Sequence, residues 1–194
     1  MFQRSSWIAG FALAAMTMVG VSSAQAESYT VDPNHQGVVF EIEHLRISKV
    51  FGKFTKLTGT VEYDPKNVEA SKFDLTVEAA SIDTGNANRD KHLRSADFFN
   101  VEKFPTITFK STKVTRDGDD KDELKVTGEL TLLGVTKTVT IELEVKGPAA
   151  KGQYGFTGDI DINRTDYGMK YGVPMIGDKV ELDISFEVLQ AKAE

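Results

Sequence analysis

Leu124-Lys125-Val126-Thr127-Gly128-Glu129-Leu130-Thr131-Leu132-Leu133-Gly134-Val135-Thr136-Lys137-Thr138-Val139-Thr140-Ile141-Glu142-Leu143-Glu144-Val145 reads as two strands joined by a turn at Gly134. Leu124, Val126, Gly128, Leu130 and Leu132 share one side, and Val139, Ile141, Leu143 and Val145 continue it after the turn. Thr, Glu and Lys occupy the other side. Successive side chains of a strand leave opposite faces, so this period of two marks a pair of half-buried strands. The pair has one apolar face, and that face must be buried.

The same pattern extends in both directions. Val38, Phe40, Ile42 and His44 alternate with Val39, Glu41 and Glu43, and Val50 to Tyr63 continues in that style, with Gly52 and Gly59 expected as bends or bulges. After the turn Asp64-Pro65-Lys66-Asn67, residues Phe73, Leu75, Val77 and Ala79 face away from Asp74, Thr76 and Glu78. Ile107, Phe109 and Ser111 follow, and Asp117-Gly118-Asp119-Asp120 is an acidic hairpin tip. Phe156, Gly158, Ile160 and Ile162 are then separated from Val180, Leu182, Ile184, Phe186 and Val188 by a glycine-rich loop, Asp166 to Asp178. Roughly eight strands with one greasy face can form a sandwich or a barrel closed on itself. Meander connections and bulky apolar inward residues favour an all-β, antiparallel, lipocalin-like barrel, just wide enough for one ligand. Alternation alone leaves open whether the interior is filled or hollow.

One segment breaks the strand pattern. Ser81-Ile82-Asp83-Thr84 leads to Asn88-Arg89-Asp90-Lys91-His92-Leu93-Arg94-Ser95-Ala96-Asp97-Phe98-Phe99, and Lys103-Phe104-Pro105 precedes the next strand. Asn88 is suited to cap a helix, with Asp90 favoured in its first turn by the macrodipole. A short basic helix with an aromatic exit, inserted between strands, suits a lid over something hollow or a plain cover for one open end.

Residues 1–26 read as a secretory leader: Arg4, an apolar run from Trp7 to Val21, then Ala24-Gln25-Ala26 as the cleavage site. Residues 27–194 then form one exported domain. It contains no cysteine, so stability must come from the core rather than from disulfides. The formal charge of −6 argues against a nucleic-acid partner.

Catalytic templates fail. There is no cysteine nucleophile, Gly-x-Ser-x-Gly elbow or phosphate-binding glycine loop, and His35, His44 and His92 lack metal-ligand spacing. Asp117 to Glu123 does not fit a calcium loop, because Lys121 and Asp122 stand where a ligand and a glycine belong. Asn163-Arg164-Thr165 matches only a short glycosylation pattern. What remains is an apolar interior with a few polar groups near its openings, the profile of a small-molecule site.

Several blocks resemble one family. Asp32-Pro33-Asn34-His35, Val38-Val39-Phe40, His44, Gly52-Lys53-Phe54, Gly59, Ser81 to Thr84, Arg89 to Phe99 and Gly128 to Lys137 resemble the YceI family of bacterial periplasmic proteins. The resemblance implies a lipocalin-like YceI domain over 27–194, with a long apolar tunnel for a polyisoprenoid or another long-chain amphiphile, such as an isoprenoid quinone or a prenyl phosphate. It implies a periplasmic binding or carrier protein, not an enzyme, with neither cofactor nor metal. Transient membrane contact for lipid exchange and a homodimer are compatible with it. Inward positions expected to hold the tail are Phe40, Ile42, Leu75, Val77, Phe98, Phe99, Phe109, Leu130, Leu132, Phe156, Ile160, Ile184 and Phe186; His44, Arg89 and His92 are expected near a polar head. Two rivals stand beside this reading: a filled sandwich acting as an interaction module, and a lipid-modifying enzyme using His44 or His92 as base.

Burying one CH₂ is worth roughly 0.8 kcal/mol, so a five-carbon prenyl unit offers about 4 kcal/mol before costs. Eight units would nominally offer about 30 kcal/mol, beyond the ceiling near ~20 for non-covalent binding. A few well-buried units therefore suffice without an ionic clamp, and tail length should select ligands more strongly than head chemistry.

Overall fold

The computed structural model describes residues 26–118 and 120–191. The expected leader lies outside them apart from Ala26. The strands are β1 (Glu27–His44), β2 (Ser48–Phe54), β3 (Leu57–Tyr63), β4 (Lys72–Glu78), β5 (Ile82–Asp83), β6 (Thr106–Arg116), β7 (Glu123–Leu132), β8 (Val135–Lys146), β9 (Tyr154–Asn163) and β10 (Ile176–Gln190). Among the described residues one α-helix, α1 (Ala87–Leu93), lies between β5 and β6. Every pairing is antiparallel.

Eight strands close the ring, in the order β1-β10-β9-β8-β7-β6-β4-β3 and back to β1. The interior is thus wrapped by one sheet, and the sandwich alternative does not occur. β2 and β3 are two halves of one stave: β1 pairs with β3 through Glu27–Thr30 and with β2 through Val38–His44. The sequence pattern shows them as a single run from Val50 to Tyr63; the break falls at Thr55 and Lys56. Gln36 bridges it, donating from Nε2 to Thr55 O at 2.8 Å and accepting from Leu57 N at 2.9 Å. Ser81 to Thr84, read as part of the helical interruption, includes β5, which pairs with Lys53 and Phe54 of β2.

Gly52 and Gly59 do not make bulges, since register runs unbroken through both. Gly52 instead makes room, because a Cβ there would lie 2.4 Å from the ring of Phe40. The β1–β10 register shifts twice, between Ile42 and His44 and, more strongly, between Val31 and Gln36, at Asp32-Pro33-Asn34-His35. Asp32 holds that bulge together: Oδ1 accepts from Asn34 N at 2.9 Å, and Oδ2 lies 2.8 Å from His35 Nδ1. The bulge moves the inward set of β1 from odd positions (Tyr29, Val31) to even ones (Val38, Phe40), so both halves keep an apolar interior.

The barrel has a closed and an open end. The closed end holds the start of β1, the end of β10 and the β3–β4, β6–β7 and β8–β9 connections; the opposite end holds the β1–β2, β7–β8 and β9–β10 connections and α1. Inward residues near the closed end meet in a solid floor. Phe156 stacks on Phe186 with centroids 5.3 Å apart and meets Phe73 edge-on at 5.3 Å and Tyr63 at 5.5 Å. Tyr154 meets Tyr63 at 4.9 Å and Tyr29 at 5.6 Å. Leu124, Val126, Val61 and Val188 seal the spaces between them with no measurable exposure.

Candidate functional site

Above that floor the inward columns no longer meet. They surround a cavity of about 780 Å³, within the roughly 300–1,000 Å³ common for small-molecule sites. β1 gives Val38, Phe40, Ile42 and His44; β10 gives Ile176, Val180, Leu182 and Ile184; β9 gives Ile160 and Ile162. Ile141, Leu130, Leu132, Ile107, Phe109, Leu75, Val77, Leu57, Phe54 and Val50 complete the staves. Tyrosines and phenylalanines make the floor, whereas isoleucine, leucine and valine line most of the cavity. Phe40, Phe54, Phe99 and Phe109 join that lining, and Phe99 meets Phe54 edge-on at 5.5 Å.

The helix closes the gap between β5 and β6. Its N-cap is Asn86 rather than the expected Asn88: Asn86 Oδ1 accepts from the backbone N–H of Asn88 and of Arg89, each at 3.1 Å. Two side chains of the helix converge on Thr84. Asp90, 7 % exposed, accepts from Thr84 N at 2.9 Å and from Thr84 Oγ1 at 2.5 Å. Arg89 donates to Thr84 Oγ1 at 2.7 Å and to Thr84 O at 2.8 Å. Arg94 donates to Ala80 O at 2.8 Å and Ile82 O at 2.7 Å. The two arginines of the basic block therefore bolt the helix to the wall.

The last connection, between β9 and β10, is fastened by Arg164, only 2 % exposed. Its guanidinium donates to Gly177 O at 2.7 Å, Met169 O at 2.9 Å and Ile176 O at 3.0 Å. Burial pulls its pKa below the usual arginine value, with Asp178 acting in the opposite direction. Asp178 accepts from Thr165 N and Thr165 Oγ1, both at 2.9 Å. Helix and loop meet in a ring cluster at the opening: His92 lies 5.0 Å from both Phe98 and Tyr171, and those two rings are 5.1 Å apart. His92 Nε2 is also 2.9 Å from Asp97 Oδ2.

Of the expected tail positions, Phe40, Ile42, Leu75, Val77, Phe98, Phe99, Phe109, Leu130, Leu132, Ile160 and Ile184 line the cavity. Phe156 and Phe186 do not; they are packed into the floor, at 0 % and 2 % exposure. His44, Arg89 and His92 all lie on the lining near the opening, together with Ser48, Lys49 and Asn88. Lys49 pairs with Glu41 on the outer side of the sheet. Sequence reasoning passed over Arg164, Met169, Tyr171 and Ile176, because a loop has no period to reveal which of its side chains turn inward. Among the described residues one His/carboxylate group stands close enough to share an ion: Asp32, His35 and Glu187, on the bulge of β1 and the neighbouring β10. Its Asp32 oxygens are already held by Asn34 and His35.

This architecture, an antiparallel barrel of eight staves with a packed floor, an apolar chamber and a helix across part of the open end, defines a lipocalin-like class of fold. Within it, the sequence profile of the YceI-like domain matches residues 29–188, and the chain belongs to that family. The chain is 42% identical over 184 residues to Protein YceI of Escherichia coli O17:K52:H18, covering 92% of this chain and 95% of that one. The solved YceI protein of Campylobacter jejuni is 33% identical, covers 78% of this chain and 90% of its own, and superposes with a TM-score of 0.68. A polyisoprenoid binding domain from Saccharophagus degradans shares the fold at a TM-score of 0.68 and 15% identity, covering 85% of this chain and 99% of its own.

Proposed function

We propose that this chain is a periplasmic carrier or reservoir that encloses the tail of a polyisoprenoid, or of an amphiphile of similar length, and leaves the polar head at the opening. The observation that carries the reading is the cavity of about 780 Å³, lined almost throughout by aliphatic and aromatic side chains and polar only near its mouth. The polyisoprenoid binding described for the Saccharophagus degradans domain supports the choice of tail. The leader-like sequence over residues 1–26 supports export.

The site is built for holding rather than for turnover. The polar groups at the mouth are spread over three elements: His44 ends β1, Arg89 and His92 stand on α1, and Ser48 begins β2. Arg89 is already committed to Thr84, and His92 to Asp97. Affinity would come from the tail, since each buried CH₂ contributes roughly 0.8 kcal/mol. The test is organic extraction of the protein purified from exporting cells, with lipid identification by mass spectrometry. The native chain and Lys125→Ala, altered outside the cavity, should yield a long-chain amphiphile, and Ile184→Asp should not. Equal lipid from all three proteins overturns the reading.

A further inference from the structure

We propose that the open end of the barrel is a docking surface for an anionic lipid bilayer; the inference rests on the carrier reading and supplies its partner. Large hydrophobic side chains left exposed are not scattered over this molecule. Val39 and Phe51 lie on strand walls, and the others lie at the open end: Leu45 (41 %), Ile47 (83 %), Tyr171 (46 %), Val173 (47 %) and Met175 (53 %) on connections, and Val135 (37 %) as the first residue of β8. The closed end contributes none among the described residues. The β1–β2 hairpin and the β9–β10 loop, which carry five of these six residues, are tied together by Leu45 N donating to Met175 O at 2.6 Å.

The hairpin tip is an energetically costly choice. Leu45 and Arg46 have φ of 55° and 60°, the left-handed region where a hairpin ordinarily places asparagine and glycine. A leucine and an arginine held there, with Ile47 next, give the tip an apolar and cationic character that the turn itself does not need.

Charge selects the bilayer as occupant. The molecule carries −6 overall, so an anionic surface repels most of it. The β6–β7 connection at the closed end concentrates Asp117, Asp120 and Asp122 around a single Lys121, and Glu123 opens β7 beside them. At the open end, Arg46 sits between the exposed Leu45 and Ile47, and Lys170 precedes Tyr171, both basic side chains exposed. Asp97, Glu102 and Asp166 also lie on connections at that end, but Lys91, Arg94 and Lys103 join Arg46 and Lys170 there, so its connections are net basic and those of the closed end net acidic. This polarity turns the mouth toward anionic headgroups and the closed end away from them. Separate apolar tips around an opening, two of them flanking Arg46 and one next to Lys170, also suit insertion among headgroups better than burial against a flat protein face. Seated this way, the chamber opens directly onto the acyl region, and a tail passes between membrane and barrel without crossing water.

Flotation with vesicles tests this, using the chain from Glu27 onward, which contains every described strand. Vesicles of phosphatidylethanolamine and phosphatidylglycerol should carry the protein upward, phosphatidylcholine vesicles at least about tenfold less, and 0.5 M salt should release much of it. Ile47→Asp with Met175→Asp should abolish flotation, while the purified variant, loaded with the same lipid from detergent solution, holds as much of it as the native chain, because neither residue lines the chamber. Native protein that carries lipid yet fails to float, or variants that float as well as the native chain, overturns docking alone. Flotation of a chain that never carries lipid overturns the carrier reading instead. Light scattering of the free proteins reads the competing occupant: a native dimer that the double substitution converts to monomer assigns the rim to a second copy and overturns the bilayer.

Discussion

The stacked rings of Phe156 and Phe186, 5.3 Å apart on adjacent strands, mark the level at which this barrel changes from solid to hollow. Two residues further along β10 toward the mouth, Ile184 already faces the cavity.

The same substitution should therefore cost different amounts on the two sides of that level. Leu124, with 0 % exposure, is packed on all sides near the floor, so Leu124→Ala should lose about 3–5 kcal/mol. Leu182 faces the chamber and leaves no new void, so Leu182→Ala in delipidated protein should lose only about 1–2 kcal/mol. Urea titration at a fixed m-value is the measurement. Equal losses would mean that the chamber collapses in solution.

The helix cover should open more readily without Asp90. Asp90→Ala leaves the N–H and hydroxyl of Thr84 without their acceptor, a penalty of about 1–3 kcal/mol concentrated on β5 and α1. Hydrogen exchange over residues 84–99 should accelerate, and bound lipid should leave faster, with a smaller effect on the closed end. Unchanged release would detach the helix from any gating role.

Arg164 should matter through shape as well as charge. Arg164→Met removes the donor for three carbonyls at the lip of the chamber and should cost about 2–4 kcal/mol. Arg164→Lys should recover only part of this, because one ammonium cannot reproduce the planar fork. Denaturation midpoints of the three proteins, with exchange rates over residues 164–177, decide the point.

The bulge on β1 should be sensitive to pH. The hydrogen bond from His35 holds the Asp32 carboxyl below its usual pKa, and the same bond, helped by Glu187, raises the pKa of His35. The Asp32 contribution is present above the ordinary carboxylate pKa and fades as pH falls through the lowered one. The His35 contribution is complete below the ordinary histidine pKa and fades as pH rises through the raised one. Between pH 6 and 9 the melting temperature of the native chain should therefore fall relative to that of His35→Gln. Parallel curves would contradict the pairing.

Much of this fold is legible in the sequence. Alternation over β1, β4, β7, β8, β9 and β10 fixes which residues turn inward, and the helix between strands stands out by its composition. What alternation cannot register is depth. Phe186 and Ile184 obey the same period, yet one is floor and the other is chamber wall, and only the closing of the ring separates them. Residue size carried part of that information, since aromatic rings gather at the closed end. The basic block shows the same limit: Arg89, expected near a polar head, does lie on the lining near the opening, but its guanidinium and that of Arg94 are held by the carbonyls of Thr84, Ala80 and Ile82, which no sequence pattern reveals. Arg164 hid inside a loop and a glycosylation-like triplet, and Asn86 took the cap because it lies one residue before the first helical position.

A crystal structure of the protein purified from exporting cells, without added ligand, tests the central claim most directly. The account expects continuous, elongated density inside the barrel, running from the floor at Phe186 past Leu182 and Leu130 to the opening beside His92 and Tyr171, with a lipid tail accounting for it. A chamber filled by protein side chains, with no elongated density reaching the opening, would contradict it.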